Sequence, residues 1–387
     1  MNRFPESAGV VVIGGGIIGT ATAYYLAKAG FKDIVLLEKN AIASGSTGRC
    51  AGGIRQQWGT PMNVELSMKS VRMFETLEKE LGFDFEYYQG GYLLLIRNES
   101  QMTQFEKNIA LQNSYPGLHV ELIKPQEIRE VCNAINTDGL IGAAYCKTDG
   151  HANPMLANYA YAWAAQMLGA KIFTRAEVTG IDVTKEGGIK SVKTADGSTI
   201  KTARVVNAAD GHAALIGKMV GLDLPIRSFR HQIMVTEPVA KILDPLVVDL
   251  AGNLYFRQTK HGSFVAGQSD KDEPEGFDMK SDYRFMLEVS SKLEKIMPAL
   301  GNVKIVRQWA GLYGMTPDSQ PIIGGVRDVE GYYQAIGFSG HGFMIAPITA
   351  KILSEIILHG EAKSADVSSL DLYRFAEGRT IKEPNVV

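Results

Sequence analysis

The most constraining feature of this 387-residue chain is a glycine triad, Gly14-x-Gly16-x-x-Gly19, set between an apolar run and a helix-forming stretch. Val10 to Ile13 reads as a short buried strand, Ile17 to Ala29 as a helix of mostly small residues closed by Gly30, and Ile34 to Leu37 as a second strand ending at Glu38. Between a strand and a helix, each glycine has its own task. The first allows the tight turn, the second lets backbone approach a pyrophosphate, and the third lets helix pack on strand. The helix N-terminus, with Ile17 and Ile18 on its first turn, offers N–H groups and a positive dipole end to phosphate. Glu38, 24 residues after Gly14 and followed by Lys39, is placed to accept hydrogen bonds from an unphosphorylated ribose. A turn serving packing alone would use the same glycines, and the pattern does not separate FAD from NAD.

The length suggests two or three domains at roughly 100–200 residues each. Apolar residues make up 45% and charged residues 21%, which excludes disorder, collagen and a coiled coil. A net charge of −2 supplies no field to gather nucleic acid. No run approaches the roughly 18 apolar residues of a membrane span, and Gly14-Gly15-Gly16 interrupts the apolar N-terminal stretch that resembles a signal peptide, so it reads as mature protein. Cys50, Cys132 and Cys146 show no C-x-x-C spacing and fit reduced thiols in the cytoplasm. Downstream, the pattern predicts an amphipathic helix from Pro61 to Leu81, a strand from Tyr92 to Ile96, and a polar helix near Ser100 to Gln112. A helix capped by Asn153 and running to Leu168 comes next, then strands to Ala208 with an Asp196-Gly197 hairpin turn, then a β-rich block from Ile226 to Gly267. A polar linker, Ser269 to Asp278, leads to a helix ending near Met297, and the last helix spans about Phe343 to His359.

Three further stretches carry chemistry. The loop Ser44 to Arg55 (S-G-S-T-G-R-C-A-G-G-I-R) supplies hydroxyls and small residues directly after the ribose acid, suited to a chain running beside a long cofactor. Its last residue, Arg55, follows an apolar Ile and precedes Trp58, and a guanidinium near apolar walls binds a carboxylate in two-pronged fashion. Near the C-terminus, Gly337-Phe338-Ser339-Gly340-His341-Gly342-Phe343 places small residues directly before a helix, whose N-terminus stabilises negative charge. His151, His231 and His261 lack metal-ligand spacing, Ser46 and Ser339 lie in no G-x-S-x-G elbow, and no G-x-x-x-x-G-K-[ST] is present.

Together the N-terminal fingerprint with Glu38, the G-S-T-G-R-x-x-G-G-I-R loop, T-P-D-x-x-P-I-I-G (316–324) and G-F-S-G-H-G-F (337–343) resemble the FAD-dependent amino acid oxidase superfamily. That group contains sarcosine oxidase, glycine oxidase and D-amino acid oxidase. The stretch Cys50 to Gln57 looks most like the β subunits of archaeal dye-linked L-proline dehydrogenase and heterotetrameric sarcosine oxidase. The resemblance implies a mixed α/β and α+β architecture: a discontinuous Rossmann-type FAD-binding domain (1–86, 142–222, 303–387) with an inserted antiparallel-sheet substrate domain (87–141, 223–302). It implies cofactor contacts at Gly14, Gly16, Ile17, Ile18, Gly19, Glu38, Lys39, Ser46, Thr47, Ala51, Gly52, Val178, Ala209, Gly211, Gly311, Gly340, His341, Gly342 and Phe343. Arg55 matches the substrate-carboxylate arginine, with Tyr255, Tyr313 and Met344 shaping the pocket.

Five departures refine the expectation. Gly311 stands where monomeric sarcosine oxidase attaches FAD through cysteine, so FAD is expected to be non-covalent. Met344 replaces a carboxylate-binding lysine, and Val265 replaces the oxygen-activating one. No histidine occupies 154–156, where the sarcosine oxidase β subunit carries FMN, so any FMN at a subunit interface would also be non-covalent. Asp210 replaces a frequent glycine in the turn Asn207 to His212. The expected activity is hydride transfer from a small secondary α-amino acid to flavin, with electrons leaving through a partner subunit. Direct use of oxygen in the manner of glycine oxidase, an NAD-linked dehydrogenase, and a non-catalytic FAD subunit are the alternatives.

Overall fold

The computed structural model describes residues 4–383. Two large sheets organise the chain. A six-stranded sheet runs in the order 322–326, 329–336, 205–207, 10–13, 34–38, 171–174, and every pairing except 322–326 with 329–336 is parallel. Its central strand, Val10–Ile13, is wholly buried, as a continuous apolar run must be when helices or loops cover both faces. The helix Ile17–Lys28 follows it and packs against Pro154–Met167 and Gly342–His359. Eleven of its twelve residues are buried. Small side chains at Gly19, Ala21, Ala23 and Ala27 allow that close approach on several sides. Among the described residues one helix, Gly342–His359, is long and apolar enough to cross a membrane, yet 67% of it is buried inside the protein.

The second sheet has eight strands in the order 305–315, 227–238, 263–268, 254–258, 246–249, 92–96, 142–146, 121–123. It is antiparallel except where 246–249 runs parallel to 92–96. Two of its strands, Gly142–Cys146 and Ile305–Met315, lie in stretches expected to belong to the cofactor-binding part. Their hydrogen bonds to 92–96 and 227–238 make them members of this sheet instead, so the boundaries expected at 142 and 303 fall one strand early. The helix Tyr283–Ile296 covers its far face through Phe285, Val289, Leu293 and Ile296.

Several local expectations match the structure closely. The amphipathic helix is Pro61–Leu81, ended by Gly82 at φ 67°, a left-handed conformation that costs glycine little. Asn153 caps Pro154–Met167 by accepting from the Leu156 N–H. All three cysteines are unpaired.

Candidate active site

The turn between Ile13 and Ile17 opens a crevice of about 1480 Å³ between the edge of the six-stranded sheet and the second sheet. Gly14, Gly15, Gly16, Ile17 and Ile18 line its floor, Glu38 and Lys39 one wall, and Ser46 and Thr47 another, with Val178, Ala209, Gly211, Gly340, Gly342 and Phe343 completing it. Glu38 accepts the Gly15 N–H at 2.7 Å and the Asn40 N–H at 2.7 Å, which fixes the acid at the end of its strand. The Ile17 N–H, at the helix N-terminus, donates to the Thr47 hydroxyl at 3.0 Å. Gly19 lies outside the lining because it serves packing: any methyl group there would overlap the Gly14 carbonyl oxygen.

Asp210 stands at φ 38°, the left-handed region where glycine is common. Its carboxylate explains the substitution. Oδ1 accepts from the Gly337 and Phe338 N–H groups at 3.0 and 3.2 Å, tying the 207–212 turn to the 337–343 segment. Burial raises its pKa to about 6.

A second pocket, of about 600 Å³, adjoins the crevice; Cys50, Tyr313, Gly340 and Phe343 line both. Arg55, Tyr255, Tyr313 and Met344 meet here although they come from four separate stretches of chain, and Ala51, Gly52 and His341 line this pocket rather than the crevice. Gly311 lines neither space, since its free side faces the Arg49 side chain.

Arg55 is only 3% exposed, with its guanidinium 3.8 Å from the Trp58 ring centroid. Burial pulls its pKa down, while the field of the nearby Tyr92, Glu383 and Asp149 pushes it back up. Asp149, which the sequence did not single out, braces this segment: it accepts from the Gln56 N–H (2.9 Å), Gln56 Nε2 (3.0 Å) and Gln57 Nε2 (3.1 Å). Full burial raises its pKa to about 6. At the other end, Glu383 accepts from the Gly59 N–H, the Thr60 hydroxyl and Asn63 Nδ2 at 2.8–3.0 Å, at the start of the helix Pro61–Leu81. A carboxylate at a helix N-terminus is favoured by the helix dipole.

His231, set aside in the sequence for want of metal-ligand spacing, holds the tyrosines. Its ring stacks on Tyr313 at 4.2 Å and 4°, and Nε2 shares a hydrogen bond with the Tyr255 hydroxyl at 2.8 Å. Burial lowers the His231 pKa to about 4 and raises both tyrosines, so at neutral pH imidazole and phenols are all uncharged. Burial likewise lowers His341 to about 3. Both of its ring nitrogens lack a hydrogen-bond partner among the described residues, although the ring is buried at the pocket wall. Such orphaned groups await a partner that the site receives when filled.

A glycine-lined crevice with a carboxylate at the end of the second strand, opening into a pocket with an arginine and an unpartnered histidine, fits FAD. The family model described as DAO, FAD dependent oxidoreductase, matches residues 9–356. The chain belongs to this family. It is 30% identical to human mitochondrial dimethylglycine dehydrogenase over 98% of the chain, but covers only 45% of that protein. The chain spans about half the length of the curated dimethylglycine dehydrogenases it matches. It is 28% identical to the sarcosine oxidase subunit beta of Rhodobacter capsulatus, over 97% of the chain and 90% of that subunit. Among solved structures, L-proline dehydrogenase from P. horikoshii superposes with a TM-score of 0.92 at 39% identity, covering 98% of this chain and all of that one.

Proposed function

We propose that this protein oxidises a small secondary α-amino acid, of the sarcosine or proline kind, to an imine, and that it works as one subunit of a larger assembly. The observation that carries the reading is Arg55, buried beside Trp58 and facing a pocket that adjoins the FAD crevice. FAD, when bound, supplies the hydride acceptor. The chain's own residues bind and orient. Arg55 takes the substrate carboxylate through its fork of donors. Met344, an apolar wall, accommodates an N-alkyl or ring carbon, while Tyr255 and Tyr313, fixed by His231, form the opposite wall.

No aspartate or glutamate lines this pocket among the described residues. The neutral amine is taken as the reacting form, since only the free lone pair can drive release of hydride. His341, unprotonated at neutral pH, is placed to accept a hydrogen bond from bound substrate or cofactor.

The similarity to a sarcosine oxidase β subunit over nearly its full length supports a partner subunit as electron acceptor. So does an apolar row on one face of the helix Pro154–Met167: Met155, Tyr159, Trp163 and Met167, four residues apart, are 42–69% exposed. Val265, in place of the lysine expected in a direct oxygen user, points the same way.

The test is anaerobic addition of proline, hydroxyproline, sarcosine, glycine and D-amino acids to the yellow holoprotein. Flavin bleaching by proline or sarcosine, and not by glycine, is expected. No bleaching by any of these amines would refute the reading and favour a non-catalytic role for FAD.

A further inference from the structure

The polar linker between the strand Ser263–Gln268 and the helix Tyr283–Ile296 is largely exposed, yet it is tied to the protein at several points. It doubles back across the strand Arg227–Pro238: Glu275 bridges to Phe229, and the Gly276 N–H donates to the Ser228 carbonyl at 2.8 Å. One side chain gathers it. Arg230 makes a two-pronged contact with Glu273 (2.8 and 3.0 Å), donates to the Lys280 carbonyl at 2.7 Å, and lies 3.4 Å from Asp282. Beginning and end of the linker are thus drawn to a single guanidinium. The contact with Glu273 is mostly shielded, with side chains 18% and 5% exposed.

Where this closed loop reaches the six-stranded half of the molecule, it presents two apolar side chains. Phe277 stacks on His212 at 4.9 Å and 18°, at the end of the turn that lines the FAD crevice. Met279 itself lines the crevice. Both remain substantially exposed, as does Leu215 on the opposite rim. Apolar groups left in solvent at the mouth of a crevice have something to gain only when the crevice is filled, because the occupant then removes them from water.

We propose that residues 269–282 form a strap that closes over FAD, with Phe277 and Met279 as cofactor-covering residues and Arg230 as the positioning residue that holds the strap down. The strap is rooted in the eight-stranded sheet and rests on the turn of the six-stranded one, so FAD leaves only after it lifts. Lifting requires breaking the Arg230–Glu273 pair and the Phe277–His212 stack, and leaves the Arg55 pocket untouched.

The experiment dilutes reconstituted holoprotein into buffer with apoprotein trap and follows flavin fluorescence as FAD dissociates. Arg230→Gln, and separately the double variant Phe277→Ser/Met279→Ser, are each expected to release FAD about tenfold faster than wild type, the effect of roughly 1.4 kcal/mol. Salt should speed release in wild type, since the clamp is ionic, and much less in Arg230→Gln. Arg284→Gln, which removes the exposed pair with Glu288 and weakens the field on Asp270 and Asp282 but leaves every Arg230 contact in place, serves as control. Release at the wild-type rate in the double variant, or equal acceleration in the control, would overturn the proposal. Should Arg230→Gln fail to fold, the double variant of two exposed side chains decides it alone.

Discussion

Arg55 is the residue on which the proposed chemistry depends most, and its removal can be worked through in advance. Two charge-assisted hydrogen bonds to a substrate carboxylate contribute about 1.5–3 kcal/mol each. Arg55→Ala therefore forfeits roughly 3–6 kcal/mol, a fall of about 150- to 20,000-fold in kcat/KM. The loss should exceed a simple subtraction, because the Asp149 and Glu383 carboxylates remain near the pocket and now repel the incoming anion without opposition. Arg55→Lys keeps a point charge but loses the second prong and the stacking on Trp58 at 3.8 Å, so an intermediate loss is expected. The assay is anaerobic stopped-flow reduction of the flavin as a function of substrate concentration. The loss should fall chiefly on KM, with the limiting rate retained, and the methyl ester of the same substrate should barely distinguish wild type from Arg55→Ala. An Arg55→Ala protein with wild-type KM for every carboxylated amine would refute the anchoring role.

Three other outcomes are expected. Asp149→Asn keeps the shape but not the charge that braces Gln56 and Gln57, so KM should rise severalfold with kcat preserved; an unchanged KM would remove Asp149 from the site. The same variant has a pH signature. Because the folded protein raises the Asp149 pKa from 3.8 to about 6, its contribution to stability is full below 3.8 and is lost as pH rises through 6. Wild type should thus be more stable relative to Asp149→Asn at pH 4 than at pH 8, by up to about 3 kcal/mol. Thermal unfolding at the two pH values tests it, and an equal or reversed difference would contradict the burial argument. Gly19→Ala places a methyl group against the Gly14 carbonyl, and the protein should purify with little flavin per chain; a fully yellow preparation would show that the turn relaxes. Finally, kcat/KM should climb with pH up to the substrate's amine pKa, since only the neutral amine can release hydride. A flat profile would mean that the site admits the cation.

The sequence by itself determined the elements whose instructions are local. The fingerprint turn, the run of small residues in the helix after it, Pro61 opening and Gly82 closing a 21-residue helix, and Asn153 capping another are all written within a few neighbouring residues. They need only backbone sterics, hydrogen-bonding caps and periodicity. The cofactor crevice was legible for the same reason: it is built around one strand–turn–helix unit and the loops that follow it.

What only the tertiary structure decided depends on groups far apart in the chain. Gly142–Cys146 and Ile305–Met315 read as strands wherever they are placed, and nothing local says which sheet edge will receive them. Asp149 lies 93 residues from Gln56, and Glu383 lies 323 from Thr60. His231 gains its purpose only when Tyr313 from the adjacent strand and Tyr255 from a strand two places away close on it. Asp210 looked like a blemish in a turn that often carries glycine until its carboxylate was seen holding the 337–343 segment. A buried polar side chain is tolerated because of its partners, and those partners are chosen by folding, not by sequence proximity.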